Sequence, residues 1–277
     1  LGRYLVVSDD TGHKDTTEHR PWLFVMDRHG RIDAKPLVVQ GAKRFNDLES
    51  ISRDKHGRVF VLASQAYSKK GKRKRSRQRL FQLQVAKSGI VATAQQTLAE
   101  KLDAAGASTL SALGLRSTRQ LNIEAMTASK TAGLFLGLKA PVDRQGRALL
   151  WKMNHPERFL RSGDLGAAGL SLHGAVALKV EADGQTVPGG FADLLELKDG
   201  SLLAAATASG MRPKTQSGSL WLLKPKGKGS FSAKRLRVFA GLKPEGIALT
   251  PGGDRLVVLF DTADKTPRWI ELPWPLR

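Results

Sequence analysis

Lys243-Pro244-Glu245-Gly246-Ile247-Ala248-Leu249-Thr250-Pro251-Gly252-Gly253-Asp254-Arg255-Leu256-Val257-Val258-Leu259-Phe260-Asp261 reads as a hairpin. A short apolar strand opens on Glu245, the Pro-Gly-Gly-Asp turn reverses the chain, and a second apolar strand closes on Asp261. The same phrase occurs three times upstream. Asn46-Asp47-Leu48-Glu49-Ser50-Ile51-Ser52 is followed by the turn Asp54–Gly57 and by Val59–Ser64. Asn122-Ile123-Glu124-Ala125-Met126 is followed by a turn near Lys130–Gly133 and by Leu134–Leu138. Phe191-Ala192-Asp193-Leu194-Leu195 is followed by Lys198-Asp199-Gly200 and by Ser201–Ala206. Four copies of acid, strand, turn and strand predict a repeat protein.

Working outward, short strands with Gly-containing turns predict an all-β chain, a β-propeller of four-stranded blades. The acids at 49, 124, 193 and 245 lie 75, 69 and 52 residues apart, more than a usual blade of ~40–50 residues. An Ala-rich segment at about 95–118, with Leu98, Leu102, Leu110 and Leu113, explains the first excess as a short helical insertion broken near Gly106 and Gly114. Region 154–188 is either an irregular insertion or a degenerate blade, so the pattern fits five or six blades. Strands are expected at Tyr4–Ser8, Trp22–Met26 and Pro36–Val39, and a further one at 172–180. Tyr4–Asp9 matches a second strand of the repeat, so the chain is expected to start inside a blade, and any signal peptide would lie outside the visible sequence. One domain covering 1–277 is expected, and a monomer.

The charge is the outlier. Among 277 residues, 45 Lys and Arg face 25 Asp and Glu, a net +20. That favours an anionic small molecule or acidic partner. Nucleic acid is the minority reading; it rests on loop 68–79, eight basic residues in Ser68–Arg79, whose alternative is a solvated loop tip. No apolar run reaches the length of a membrane span. With no Cys there is neither disulfide nor thiolate metal site. The polar link Asp9–Arg20 is either a cation loop or, more simply, a solvated acidic turn. His13, His19, His29, His56, His155 and His173 show no paired metal spacing, and no Gly-x-Ser-x-Gly elbow occurs. Trp151, Trp221, Trp22 and Trp269 fall in or beside strands and are assigned to the core.

Asn122–Met126 with Gly137-Leu138-Lys139-Ala140-Pro141-Val142, together with Lys243–Ala248 and Leu256–Asp261, resembles a bacterial propeller family known only as a domain of unknown function. That family is similar to esterase-like phytase domains and more distantly to calcium-dependent lactonase propellers. The sequence departs from the family pattern at Lys139, where Arg is usual, and at Ser50 and Ala125, where Gly is usual. The resemblance implies the propeller fold, a periplasmic or secreted location, and a lean toward Ca²⁺.

In a propeller, the starts of the first strands and the ends of the second strands meet at one mouth. Glu49, Glu124, Asp193 and Glu245 are therefore expected there, with Asp9, Ser64, Lys139, Ser209 and Asp261. Converging carboxylates repel unless neutralised. Ca²⁺, which takes 6–8 oxygen ligands, is one solution, with Glu49, Glu124, Asp193, Glu245 and Asp261 as ligands. Salt bridging to Lys139 and other cations in a structural plug is the other. With a metal, the mouth becomes a hydrolase of anionic esters or phosphoesters, with Glu49, Glu124 or Glu245 as general base and Lys139, Ser64 and Ser209 binding substrate. Without one, the chain is a binding scaffold for an acidic ligand or partner.

Overall fold

The computed structural model describes residues 3–8, 23–42, 46–68, 70–210, 213–227, 229–262 and 268–276. The link Asp9–Arg20, Trp22 and Lys69 lie outside them. The chain is mostly β, in five sheets among the described residues. β1 (Arg3–Val7) and β2 (Leu23–Asp27) pair antiparallel as the first sheet. The second holds β3 (Val39–Gln40), β4 (Leu48–Arg53), β5 (Val59–Ala63), β6 (Arg79–Ala86) and β7 (Gly89–Thr97), in the order β3-β7-β6-β5-β4. Two short helices follow, α1 (Leu98–Ala104) and α2 (Gly106–Ala112).

The third sheet is β8 (Asn122–Ala128), β9 (Leu134–Val142), β10 (Ala148–Met153) and, after α3 (Pro156–Ser162), β11 (Leu170–Val176). The fourth is β12 (Lys179–Ala182), β13 (Gln185–Glu196), β14 (Leu202–Ala208), β15 (Gln216–Pro225) and β16 (Phe231–Phe239). The fifth is β17 (Lys243–Leu249), β18 (Arg255–Asp261) and β19 (Arg268–Pro273). The sheets thus hold two, five, four, five and three strands, where four each were expected. Residues 172–180 are not one strand: β11 ends the third sheet and β12 begins the fourth, so region 154–188 adds no sheet of its own. That region also contains α3, which opens on Pro156 and ends at Gly163, in the left-handed conformation (φ 72°).

Strand periodicity explains the stacking. Successive side chains point to opposite faces, and both faces of the middle strands are apolar. On β5, Phe60 and Leu62 face the third sheet's core, while Val59, Val61 and Ala63 face the core shared with the first sheet. On β14, Leu202, Ala204 and Ala206 pack toward the third sheet, and Leu203 and Ala205 toward the fifth. Each apolar core therefore lies between two sheets consecutive in the chain. The helical insertion enters one of them: Leu98, Ala99 and Leu102 are buried, and the fully buried Trp151 donates its indole N–H to the Leu113 carbonyl at 2.8 Å.

Strands β4, β8, β13 and β17 run side by side, each against the next. Beyond the stretch of β13 covered by β12 they are sheet edges, whose backbone N–H groups need partners. Side chains supply them. Ser50 Oγ accepts from Met126 N (3.1 Å), Ser52 Oγ from Ala128 N (2.8 Å), Thr127 Oγ1 from Glu196 N (3.3 Å), and Asp193 Oδ2 from Ile247 N (2.8 Å). The third and fourth sheets approach so closely that a Cβ on Gly190 would sit 2.1 Å from the Lys139 carbonyl oxygen. Gly190→Ala is expected to lower stability by about 1–3 kcal/mol in urea unfolding; an unchanged midpoint would contradict this packing.

Candidate functional site

The first strand of each repeat carries one extra residue. The register slips between Leu48 and Ser50, Ile123 and Ala125, Phe191 and Asp193, and Pro244 and Gly246. The residues opposite no partner are Glu49, Glu124, Ala192 and Glu245. Such bulges re-aim a side chain and recur beside functional sites. Three of the four predicted acids thus occupy one structural position, and Asp193 does not. It stands one residue later, equivalent to Ser50, Ala125 and Gly246, and so points the other way across the strand. The alignment of Asp193 with the three glutamates fails because Ala192, and not Asp193, stands at the bulge. On the second strands the equivalent positions are Ser64, Lys139, Thr207 and Asp261. Thr207 therefore stands where Ser209 was expected.

These positions converge as ion pairs. Lys139, 7% exposed, places Nζ 2.7 Å from Glu124 Oε2 and donates to Thr207 Oγ1. Asn122 Nδ2 holds the other Glu124 oxygen at 2.9 Å. Lys243 bridges Glu245 and Asp261, with Nζ 3.0 Å from Asp261 Oδ2 and in contact with Glu245 Oε1. The two groups feel each other: Glu124 acts on both Lys243 and Glu245, and Lys139 acts on Glu245. Burial pushes the Glu245 carboxyl upward and the Glu124 charge adds to it, against the pull of Lys243 and Lys139. The Lys243 ammonium is held protonated: burial opposes its charge, but Glu245, Glu124 and Asp261 outweigh it.

Asp193 lies deep between β13, β17 and β4. Besides Ile247 N, it accepts from Leu194 N (2.9 Å) and from Ser50 Oγ (3.4 Å). Burial lifts its carboxyl from 3.8 to about 7; the two N–H groups and the Ser50 hydroxyl pull down, and Glu245 adds to the rise. A strip of the residue stays accessible to water, which moderates the effect.

The remaining predicted residues are engaged elsewhere. Ser64 donates to Asp47, which is paired with Arg77 at 2.7 Å. Ser209 Oγ donates to the Lys139 carbonyl at 2.5 Å, a link between sheets. Glu49 occupies its bulge with a partner of its own. Among the described residues no three His, Asp or Glu side chains are grouped to hold a metal ion. Of the residues expected as calcium ligands, Glu124 faces the Lys139 ammonium, and Glu245 and Asp261 face that of Lys243. A separate cavity of about 310 Å³ lies among the 54–58 and 129–133 turns and the start of α3, and brings together His56, His155 and Glu157.

The basic loop is not a free tip. Arg73 lies 4.1 Å from the Tyr67 ring centroid, pairs with Asp103 at 2.6 Å and donates to Thr118. Arg75 makes two 3.0 Å bonds to Glu100. Arg77 takes Asp47. Tyr67 and the acids of the helical insertion pin the loop that charge repulsion alone was expected to extend. No helix among the described residues is long and apolar enough to cross a membrane.

No protein-family model matches this chain. No curated protein matches it either. Among solved structures, it is similar to a protein from Lactobacillus plantarum (10% identity, TM-score 0.41, covering 97% of this chain and 66% of that one). It is similar to the GH74 enzyme of Niastella koreensis (12%, 0.42, covering 98% and 35%), and to a Bacteroides uniformis protein assigned as a 6-phosphogluconolactonase (13%, 0.37, covering 98% and 96%). The chain spans about two thirds of the first protein's length and about a third of the second's. Likeness this distant carries no activity across to this chain.

Proposed function

We propose that the five sheets are the blades of a β-propeller and that the protein is a binding scaffold for an acidic partner, its mouth closed by ion pairs. Side-by-side first strands and cores between consecutive sheets support the propeller. One observation carries the functional reading: Lys139 and Lys243 occupy the space among Glu124, Glu245 and Asp261 that a cation would need. The excess positive charge then acts outward, toward a partner. Two measurements test the reading. A calcium ion bound at 100 times its Kd would stabilise the fold by about 2.7 kcal/mol and raise Tm by roughly 5 °C or more. Melts in CaCl₂ and in EDTA are expected to coincide, and a calcium-dependent rise would overturn the closed mouth. Labelled poly-L-glutamate is expected to bind and to release with salt; no binding at low salt would overturn the acidic-partner reading.

A second reading, hydrolysis of an anionic ester at the mouth, is favoured by the Glu245 carboxyl, which burial lifts toward neutrality as a proton-transfer group requires. Turnover of nitrophenyl esters or phosphates that disappears in Glu245→Gln would establish it. No turnover across the panel would remove it.

A further inference from the structure

We propose that the outer edge strand β16 is the docking surface, and that its occupant is an extended acidic peptide that adds to the sheet as a further strand. The inference rests on the acidic-partner reading and names its place. From Asp199 to Glu245 the chain contains no intervening acidic residue and nine Lys and Arg. The fold gathers part of that charge on one edge. β16 pairs only with β15 and ends the order of the fourth sheet, so alternate N–H and C=O groups along it point away from the protein. Its first residues are covered: His173 of β11 lies 5.6 Å from Phe231, ring to ring, and Gly229 abuts the His173 carbonyl. Ala233–Val238 stays open, with Lys234, Arg235 and Arg237 exposed and Val238 43% exposed.

None of Lys226, Lys234, Arg235 and Arg237 has a carboxylate partner among the described residues. By contrast, Arg73, Arg75 and Arg77 of the basic loop are all engaged. Arg235 and Arg237 lie 6.0 Å and 5.7 Å from the Trp221 and Phe239 ring centroids, which holds one guanidinium over each face of the sheet beside the open strand. Cations on an edge strand repel basic strands, including a second copy of this +20 chain, and disfavour neutral ones, which would cover the charges without pairing them. They admit an acidic strand, whose backbone satisfies the free ladder groups while its carboxylates meet the row of cations. Trp221 and Phe239 are buried, so the edge offers no aromatic platform on which unpaired bases would stack.

The test uses a synthetic peptide alternating Glu and Val, long enough to span Ala233–Val238, titrated into the full chain with amide hydrogen exchange read in parallel. Expected are salt-sensitive binding, new protection confined to 233–238, and a loss of affinity of about tenfold or more in Lys234→Glu/Arg237→Glu. A Lys70→Glu/Lys72→Glu/Lys74→Glu variant in the other basic segment is expected to bind as the parent does. Equal binding by parent and β16 variant, or poly-L-glutamate binding without peptide binding, would overturn the edge site and leave the acidic-partner reading standing. Failure of both probes would remove that reading and this one together. Duplex DNA displacing the peptide and binding more tightly at 233–238 would overturn the choice of occupant.

Discussion

Lys243→Met is expected to destabilise the protein by about 1–2 kcal/mol at pH 7, because it leaves the part-buried Glu245 and the more exposed Asp261 without their ammonium. Lys243 serves Glu245 and Asp261 at once, and Glu124 acts on it from the neighbouring sheet. About a quarter of its side chain is exposed, which places the loss between that of an exposed and that of a buried pair. Removing the cation raises the affinity of the stranded carboxylates for protons, so the deficit should shrink as pH falls from 7 toward 5. Adding Glu245→Gln should restore part of the loss at pH 7. The measurement is urea unfolding of parent, single and double variants at both pH values. A deficit below about 0.5 kcal/mol, typical of exposed pairs, would contradict the closed mouth.

Asp193 sets the pH response. Its folded carboxyl titrates at about 7 against an ordinary 3.8, so between these values the folded state binds more protons than the unfolded one. Stability from this group is therefore full below about pH 4 and is lost as pH rises through about 7. The gap corresponds to up to about 4 kcal/mol, less in proportion to the water that reaches the side chain. Asp193→Asn removes this titration and leaves that of Glu245, so its stability should fall less steeply than the parent's from pH 5 to pH 8. Its amide cannot accept from Ile247 N and Leu194 N through both atoms, so the variant should be the weaker at pH 5 by about 1 kcal/mol. The curves should converge or cross by pH 8. Parallel curves would contradict the assignment.

The hairpins were legible because apolar alternation around a Gly turn is a local signal, as at Leu48–Ala63 and Ile247–Phe260. The helical insertion was legible from its leucine spacing. The position of Asp193 was not, because only the strand pairing shows that Ala192 takes the bulge position that Glu49, Glu124 and Glu245 take in the other first strands. Lys243 was passed over beside Glu245 in the same motif: the second acid it serves, Asp261, joins it only when β17 and β18 pair. The basic loop was misread for a related reason, since Asp103, Glu100 and Asp47 reach it only through the fold. One local signal was readable and missed. Asp27, Asp54 and Asp143 each open an Asp-x-x-Gly-Arg turn in which the carboxylate caps two backbone N–H groups and holds the Arg Nε at 2.8, 2.6 and 2.7 Å. That recurrence marks three turns that Gly alone leaves ambiguous.

The proposal stands or falls on whether lysines, and not a metal ion, neutralise Glu124, Glu245 and Asp261. A crystal structure of the protein grown in excess CaCl₂ tests it most directly. The predicted result is Lys243 Nζ between Glu245 and Asp261 and Lys139 Nζ on Glu124, with no ion among them. A calcium ion ligated by Glu124, Glu245 and Asp261, with Lys243 swung out to solvent, would contradict it.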